Sequence, residues 1–309
     1  MSDAAKTILI VGGSGRHGGT GAFVARRLLD LGYRVRAMTR RNDGALSRHL
    51  PGAEVVVADL HDRRSLIAAL DSVEVAYFTY PIAGGIVDAA ANFSSAARVA
   101  GLKRLVVMSM GAARPDSASH LGRAQWLAEE LLETSGFDCI QLRIVALFFE
   151  NLEMLHRHDI LGDGVIRNSF PDLAVNWIAG ADAGRLAVAA LIHPERFGAK
   201  SAVYPSGKEK FSHAEVARTI GDFLGRDLRH ETISADAWRH RLLDIGKYDD
   251  RINDDMARHI SAIGASTLKP FAFNNLFETA TEEPPMRLAE ALSSGYLTFA
   301  QNASSANGA

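Results

Sequence analysis

The chain has 309 residues, of which 47% are hydrophobic and 23% charged, a composition typical of a globular protein. Its 34 basic and 36 acidic residues nearly balance, which argues against a nucleic-acid-binding surface or a polybasic membrane patch. Cys139 is the only cysteine, so an intrachain disulfide is excluded, and no apolar run of about eighteen residues occurs; we therefore expect a cytoplasmic protein without a membrane span.

The predicted elements begin with a strand, a glycine turn and a helix. Residues 8–11 form a continuous apolar run, as in a parallel strand that helices cover on both faces. Gly12, Gly15 and Gly18 follow at intervals of three. Glycines let backbone N–H groups approach a pyrophosphate closely at the N-terminus of the next helix, whose dipole favours an anion. Because a strand precedes this turn and a helix with one apolar face follows it, the pattern predicts a dinucleotide-binding site.

The second predicted strand, over residues 33–39, indicates which dinucleotide is expected. An acidic residue about 20 positions beyond the turn usually binds the ribose 2′-hydroxyl, whereas an arginine there accommodates a 2′-phosphate. This strand ends in Arg40 and Arg41, which favours NADP(H) over NAD(H). Arg16 and His17 within the glycine turn either contact phosphate or face solvent.

Helices and strands keep alternating up to about residue 150. The pattern predicts helices over 43–50, 62–70, 86–100 and 120–134, and strands over 53–58, 73–79, 105–109 and 137–143. This alternation implies right-handed crossovers. We therefore predict an α/β fold with a Rossmann-type doubly wound parallel sheet.

Ligands of such a sheet bind outside the carboxyl ends of its strands. Asp59 and Leu60 follow the third strand, where an adenine would lie, although the same pair also suits a strand-to-helix capping turn. Tyr80 and Pro81 follow the fourth strand, and Ser109 ends the fifth. These three residues are expected beside the nicotinamide half of the cofactor, where Ser109 either contacts the ribose or satisfies backbone groups.

Beyond residue 150 the alternation weakens. We predict an NADP-binding Rossmann domain over 1–150, a smaller mixed α/β substrate or lid region over 151–301 that is interleaved with it, and a disordered tail over 302–309. Ser212 and Glu215 have the spacing of a capping box and predict the start of a helix.

Aromatic residues around this region leave two interpretations open. Phe148 and Phe149, together with Asn151, follow the sixth strand, and this aromatic pair either roofs a substrate pocket or belongs to the core. Phe271, Phe273 and Phe277 suit either a lid over the pocket or the face of a homodimer.

Several short motifs between residues 7 and 245 match positions of one protein family. They are Gly12-x-x-Gly15-x-x-Gly18, Arg40, Asp59-Leu60, Asp62, Ser65-Leu66, Glu129-Glu130, Ser135-Gly136, Leu142-Arg143, Glu150-Asn151-Leu152, Leu224-Gly225-Arg226 and Trp238. On these motifs the chain resembles the NmrA-like branch of the atypical short-chain dehydrogenase/reductases. The resemblance implies either a reductase of small conjugated molecules, including quinones, or a protein that binds NADP(H) as a redox sensor without turning it over.

The predicted proton chemistry departs from that of ordinary short-chain dehydrogenases, which carry a Tyr-x-x-x-Lys pair with the phenol as proton donor. No such pair is expected in this sequence, and Ala124 stands four residues after His120, where many relatives have lysine. Reduction of a quinone or enone needs a dedicated acid less, because a delocalised anion can take its proton from water. His120 either hydrogen-bonds a developing oxyanion or faces water at the helix start.

Two functions therefore remain open, and no catalytic residue is assigned. One is an NADP(H)-dependent oxidoreductase that reduces a small conjugated carbonyl or quinone, and the other is a non-catalytic NADP(H)-binding redox sensor or regulator. The expected partner is a small-molecule substrate rather than nucleic acid or membrane. The run His156-Arg157-His158-Asp159 invites a metal site, but neither paired cysteines nor a His-Glu-x-x-His helix accompanies it, so no metal is expected.

Overall fold

The structure is a computed structural model that describes residues 7–13, 19–41, 43–266 and 274–299. Its first half follows a strict alternation of strands and helices. In chain order these are β1 (Thr7–Ile10), α1 (Thr20–Asp30), β2 (Arg34–Thr39), α2 (Ala45–His49), β3 (Glu54–Val57), α3 (Arg63–Ala69), β4 (Val75–Phe78), α4 (Ile86–Ala100), β5 (Arg104–Met110), α5 (His120–Glu133) and β6 (Asp138–Ile144).

The second half has shorter strands and more helix. Its elements are β7 (Leu147–Phe148), α6 (Glu150–Leu161), β8 (Val165–Asn168), β9 (Val175–Ile178), α7 (Gly180–Ile192), a 3-10 turn (Pro194–Phe197), β10 (Ala202–Val203), β11 (Glu209–Phe211), α8 (His213–Leu224), β12 (Arg229–Thr232), α9 (Ala235–Gly246), α10 (Asp254–Ala265), α11 (Leu276–Thr281) and α12 (Leu288–Ser293).

A seven-stranded parallel sheet in the order β10-β6-β5-β4-β1-β2-β3 forms the centre of the fold. The order 3-2-1-4-5-6 within it is that of a Rossmann sheet, which confirms the predicted fold class. Two small sheets lie beyond it, with the strand orders β11-β9-β7 and β12-β8. No helix in the described parts of the chain is long and apolar enough to cross a bilayer.

Helices cover both faces of this sheet, as the apolar run of β1 predicts. Ile8 and Ile10 point into a core shared with α1 and α7, whereas Leu9 and Val11 point into a second core shared with α3 and α4. All four side chains are almost completely buried. A strand covered on both faces has no polar side to alternate with, which explains its continuous hydrophobicity.

The chain returns to the central sheet after residue 150. β10 pairs with β6 through Ala202↔Gln141 and Val203↔Leu142. Helix α7 packs against α1, and its apolar side chains join the core around Ile8 and Ile10. The central sheet is therefore built from both halves of the sequence.

Two predicted helix starts are confirmed by their hydrogen bonds. Asp62 caps α3, because its Oδ1 accepts a hydrogen bond from the backbone N–H of Arg64 at 3.0 Å. Ser212 and Glu215 form the predicted reciprocal capping box of α8. Both caps satisfy N–H groups that have no partner within their own helix.

Candidate cofactor and substrate site

Neighbouring atoms lie so close to the turn after β1 that only glycine fits at two positions, Gly12 and Gly21. Gly12 has a φ of +88°, and a Cβ there would lie 2.3 Å from Cγ2 of Thr79. A Cβ at Gly21, in the first turn of α1, would lie 2.4 Å from the carbonyl oxygen of Gly12. The start of α1 is therefore pressed against the turn. Gly15, Arg16, His17 and Gly18 lie outside the described residues.

This arrangement fits a dinucleotide phosphate. Helix α1 begins at Thr20 without a capping side chain among the described residues, so its first N–H groups are left for another acceptor. The hydroxyl of Tyr77 on β4 donates a buried hydrogen bond of 2.9 Å to Oγ1 of Thr20, which fixes the helix start to the sheet.

Arg40 and Arg41 are exposed at the carboxyl end of β2. The backbone N–H of Arg41 donates to Oγ1 of Thr39 at 3.1 Å, which turns the chain at this edge. Burial raises the pKa of the Tyr80 phenol, and the nearby guanidinium of Arg40 opposes that rise. Arg40 thus lies on the same side of the sheet as the residues that follow β4.

The Asp59–Leu60 pair forms a capping turn in the structure. Oδ1 of Asp59 accepts from the backbone N–H of His61 at 2.9 Å, and its own N–H donates to Oγ of Ser65 at 3.0 Å. Leu60 is 8% exposed and joins the core beneath α3 and α4. Contact of this pair with an adenine stays a prediction.

A cavity of about 420 Å³ begins at the ends of β4 and β5 and continues between the later elements. Of the predicted cofactor and substrate residues, Tyr80, Ser109 and Asn151 line it. Pro81, His120 and Phe149 are absent from its walls. Most of the lining is apolar and includes Met108, Met110, Val145, Leu147, Phe148 and Ile260.

Of the aromatic pair Phe148 and Phe149, one ring lines the cavity and the other belongs to the core. Phe149 is fully buried, and its ring lies parallel to that of Trp177 with 6.3 Å between centroids. Phe148 lines the cavity instead. Phe148 ends β7 whereas Phe149 lies immediately before α6, so the chain turns between the two rings and directs them to different sides. Phe277, by contrast, is 1% exposed in the core beside α7, so it contributes to neither a lid nor an exposed dimer face.

His120 connects the start of α5 to α10. Its Nε2 lies 3.3 Å from Oδ1 of Asp255 in the first turn of α10, and the other oxygen of Asp255 accepts from the N–H of Gly84 at 2.7 Å. Nearby, Oγ of Ser119 and Nδ1 of His259 share a hydrogen bond of 2.6 Å. Burial, aided by His120, lowers the pKa of His259 to about 4, so this imidazole is neutral.

Helix α10 was not predicted from the sequence, yet it covers part of the cavity. Its residues Met256, His259, Ile260 and Ile263 line the walls. The signal for the helix start is present in the sequence, because Oδ1 of Asn253 accepts from the N–H three residues later.

A buried ion pair lies behind the Ser109 side of the cavity. Nε and Nη2 of Arg143 donate to Oε2 of Glu129, whose side chain is fully buried. Burial raises the pKa of the Glu129 carboxyl, and Arg143 opposes this shift. Gln125, one turn earlier on α5, lines the cavity. The pair therefore fixes the orientation of α5 against β6.

The walls offer no Tyr–Lys proton-donating pair among the described residues. The Tyr-x-x-x-Lys spacing does occur once in the sequence, at Tyr204 and Lys208, but neither residue lines the cavity. The Tyr204 hydroxyl accepts a hydrogen bond of 2.7 Å from Nη1 of Arg143. Glu150 lines the cavity, but its Oε1 accepts hydrogen bonds from Tyr296 and from the N–H of Gly180.

The residues of the histidine run lie on different sides of helix α6, some buried and some in solvent. His156 is 5% exposed and lines the cavity, where its ring lies parallel to that of Trp238 at 5.1 Å. The side chain of His158 is 99% exposed, and Asp159 pairs with Arg241. The described part of the chain holds no group of three or more histidine, cysteine, aspartate or glutamate side chains suited to a metal.

The sequence is similar to that of known proteins over most of its length. The sequence model of the NmrA-like family matches residues 4–270. The NAD(P)H azoreductase of Xenophilus azovorans is 30% identical over 244 residues, which cover 77% of this chain and 81% of that protein. The (4-alkanoyl-5-oxo-2,5-dihydrofuran-3-yl)methyl phosphate reductase of Streptomyces griseus is 31% identical over 231 residues, with coverages of 74% and 79%.

A solved structure has the same fold. The NADPH-dependent quinone oxidoreductase of Escherichia coli, complexed with NADPH, superimposes with a TM-score of 0.76 at 22% identity. The match covers 94% of this chain and 99% of that one. The likeness extends beyond the Rossmann sheet to the smaller region that follows it.

Proposed function

The chain belongs to the NmrA-like family, and from this premise we propose that it is an NADP(H)-dependent oxidoreductase that reduces a small, largely apolar conjugated carbonyl or quinone. The observation that carries the proposal is the cavity of about 420 Å³, which runs from the carboxyl ends of β4 and β5 between mainly apolar side chains. Its position matches the place where a doubly wound sheet binds its ligands.

The residues on the sheet edge suit NADP(H). Gly12, with Gly15 and Gly18 from the sequence motif, and the uncapped start of α1 hold the pyrophosphate. Arg40 and Arg41 bind the 2′-phosphate as bidentate cations. The remaining contacts come from Arg16, His17, Asp59, Leu60, Tyr80, Pro81 and Ser109. When bound, the reduced cofactor supplies a hydride.

The cavity wall favours an acceptor whose negative charge is delocalised. Met108, Leu147 and Phe148 exclude water from an aromatic or conjugated molecule. Asn151 supplies a polar side chain that holds its oxygen atom. Since the described walls contain no Tyr–Lys pair, the proton that completes the reduction comes from water. Such a reaction suits a quinone or enone better than a simple aldehyde.

Turnover with purified protein tests the proposal. NADPH is mixed with a panel of quinones, enones, azo dyes and aldehydes, and the loss of reduced-nicotinamide absorbance is followed. Oxidation with quinones or enones but not with simple aldehydes is the expected result. A matched Asn151→Leu variant is expected to turn over more slowly, because it removes a polar group that holds the acceptor oxygen.

A second function is favoured by one observation, the lack of a Tyr–Lys pair among the described residues of the cavity wall. A redox sensor binds NADP(H) without consuming it and needs no proton donor. Tight NADPH binding with no turnover across the panel would contradict the reductase and favour this sensor. A cytoplasmic location and a homodimer stay predictions, which fractionation of the source cells and light scattering of the purified protein test.

A further inference from the structure

One wall of the cavity carries polar side chains that the proposed chemistry does not use. His156 on α6, Asn168 at the end of β8, His213 at the start of α8 and Trp238 on α9 all line the cavity and are at most 5% exposed. We call these four residues the distal polar cluster. The residues expected at the cofactor come from the central sheet, whereas the cluster comes entirely from later elements.

Each member has a nitrogen without a hydrogen-bond partner in the described part of the chain. These atoms are Nδ1 of His156, Nδ2 of Asn168, Nδ1 of His213 and Nε1 of Trp238. Buried polar groups of native proteins are nearly always hydrogen-bonded, because an unpaired one costs free energy. Four such atoms in one cavity wall are available to bond a molecule that enters the cavity.

Neighbouring contacts hold the cluster in place. The His156 ring is stacked on Trp238, and the His213 ring lies 4.9 Å from the ring of Phe170. Oδ1 of Asn168 already accepts from the N–H of Phe170 and from Nε2 of His230, each at 3.0 Å. The amide therefore presents its NH₂ group as the free donor. Trp238 likewise can only donate.

The cluster carries no charge at neutral pH. Burial lowers the pKa of His156 to about 3, and it lowers the pKa of His213 well below its ordinary value. Arg241 is near His156, but its Nη2 donates to both carboxylate oxygens of Asp159. The charge of Arg241 is therefore compensated. A carboxylate or ammonium bound here would lose its hydration without gaining a counter-charge. A neutral hydroxyl accepts from the two obligate donors and can also donate to a neutral imidazole.

We propose that the distal polar cluster is a subsite for a neutral hydroxyl group on the part of the substrate remote from the reduced group. The inference rests on the proposed function, since it places a conjugated molecule in the cavity. The substrate is then an aromatic or conjugated compound with a hydroxyl-bearing substituent, rather than an acid or an amine.

Binding of two isosteric probes tests this subsite without requiring turnover. The probes are 1,4-naphthoquinones with a hydroxymethyl or an ethyl substituent on the ring remote from the quinone, titrated calorimetrically in the presence of NADP⁺. We expect the hydroxymethyl probe to bind about three- to tenfold more tightly. A purely apolar wall would bind the ethyl probe more tightly, because burying a hydroxyl without a hydrogen-bond partner is unfavourable. Equal affinities or tighter ethyl binding in the wild-type protein would overturn the proposal.

Variants of cluster residues test whether the distal polar cluster causes the preference for the hydroxymethyl probe. His156→Phe keeps a ring on Trp238 but removes both nitrogens, and we expect it to reduce the hydroxymethyl preference at least severalfold. Trp238→Phe is a second, independent variant with the same expectation. His158→Phe, two residues along the same helix with its side chain in solvent, serves as the matched control and keeps the wild-type preference. If both cluster variants keep the wild-type preference, the hydroxyl binds elsewhere and the assignment is wrong.

The reductase function and the hydroxyl subsite can be contradicted independently of each other. Absence of NADPH oxidation with both probes would contradict the reductase, whereas a hydroxymethyl preference in the binding experiment would still support the subsite. The thiol of Cys139 is not expected to add to the quinone probes and so does not affect the measured affinities. Cys139 is buried, and burial raises the pKa of its thiol to about 12.

Discussion

Arg143 on β6 donates two hydrogen bonds to a single oxygen of Glu129 on α5, from Nε at 2.9 Å and from Nη2 at 2.6 Å. The Glu129 side chain is completely buried, and that of Arg143 is 14% exposed. The pair spans the contact between a strand of the central sheet and the helix that carries Gln125 to the cavity wall. Water therefore cannot replace Arg143 as the partner of the Glu129 carboxylate.

We therefore expect Arg143→Met to reduce the free energy of unfolding by about 3–5 kcal/mol, because it leaves a buried carboxylate without its counter-charge. Arg104→Met on the adjacent strand is the matched control. Arg104 pairs with Asp138 at 2.7 Å, but that carboxylate is 54% exposed, so the loss is expected to stay below about 1 kcal/mol. Urea unfolding of both variants measures the difference, and similar losses would contradict this account.

Gly21→Ala is expected to destabilise the protein although alanine is the better helix former. Helix propensity alone favours alanine by about 1 kcal/mol. The new methyl group would meet the Gly12 carbonyl at 2.4 Å, and such overpacking costs about 1–3 kcal/mol. Gly13→Ala is the control, since its nearest neighbour would be Leu50 at an ordinary 3.5 Å. Thermal unfolding without cofactor compares them; a more stable Gly21→Ala protein would show that the contact is not tight.

Arg40→Asp is expected to weaken NADPH binding about ten- to a hundredfold more than NADH binding, because it replaces the cation proposed to bind the 2′-phosphate by an anion. Arg34→Asp, at the opposite end of the same strand and also exposed, should change both affinities equally. Fluorescence titration with the two reduced cofactors gives the ratio. An unchanged ratio for Arg40→Asp would refute the role given to this residue.

Stability should decrease in mild acid partly because of His156. Its pKa is 6.5 in the unfolded chain and about 3 in the folded protein. The unfolded chain therefore binds a proton that the folded protein does not, and this stabilisation, complete above pH 6.5, is lost as the pH falls toward 3. His156→Phe should reduce the slope of unfolding free energy against pH by up to about 1.4 kcal/mol per unit near pH 5. His158→Phe should leave the slope unchanged; an equal slope in all three proteins would contradict the assigned shift.

The central sheet could be predicted because its signal is local. The apolar run of residues 8–11 reports burial on both faces, and the capping residues Asp62 and Ser212 act over two or three positions. The contact that places α10 at the cavity could not be predicted this way. Asp255 reaches Gly84 across 171 positions of sequence, and no local pattern encodes that distance.

The substrate half of the site was predicted less well for a similar reason. Which of Phe148 and Phe149 lines the cavity depends on the turn from β7 into α6, which a pair of identical residues does not reveal. The distal polar cluster gathers residues from four separate elements, so its members are adjacent only in the folded chain.

The pairing of β10 with β6 also bears on how the protein is made. A ribosome must synthesise the chain past residue 203 before the last strand of the central sheet is available, and α7 must already have emerged to cover the core around Ile8 and Ile10. A nascent chain halted near residue 150 would have β6 as a bare edge strand and an uncovered apolar face, both of which promote aggregation. The cofactor-binding half should therefore need its second half, or a chaperone, during synthesis.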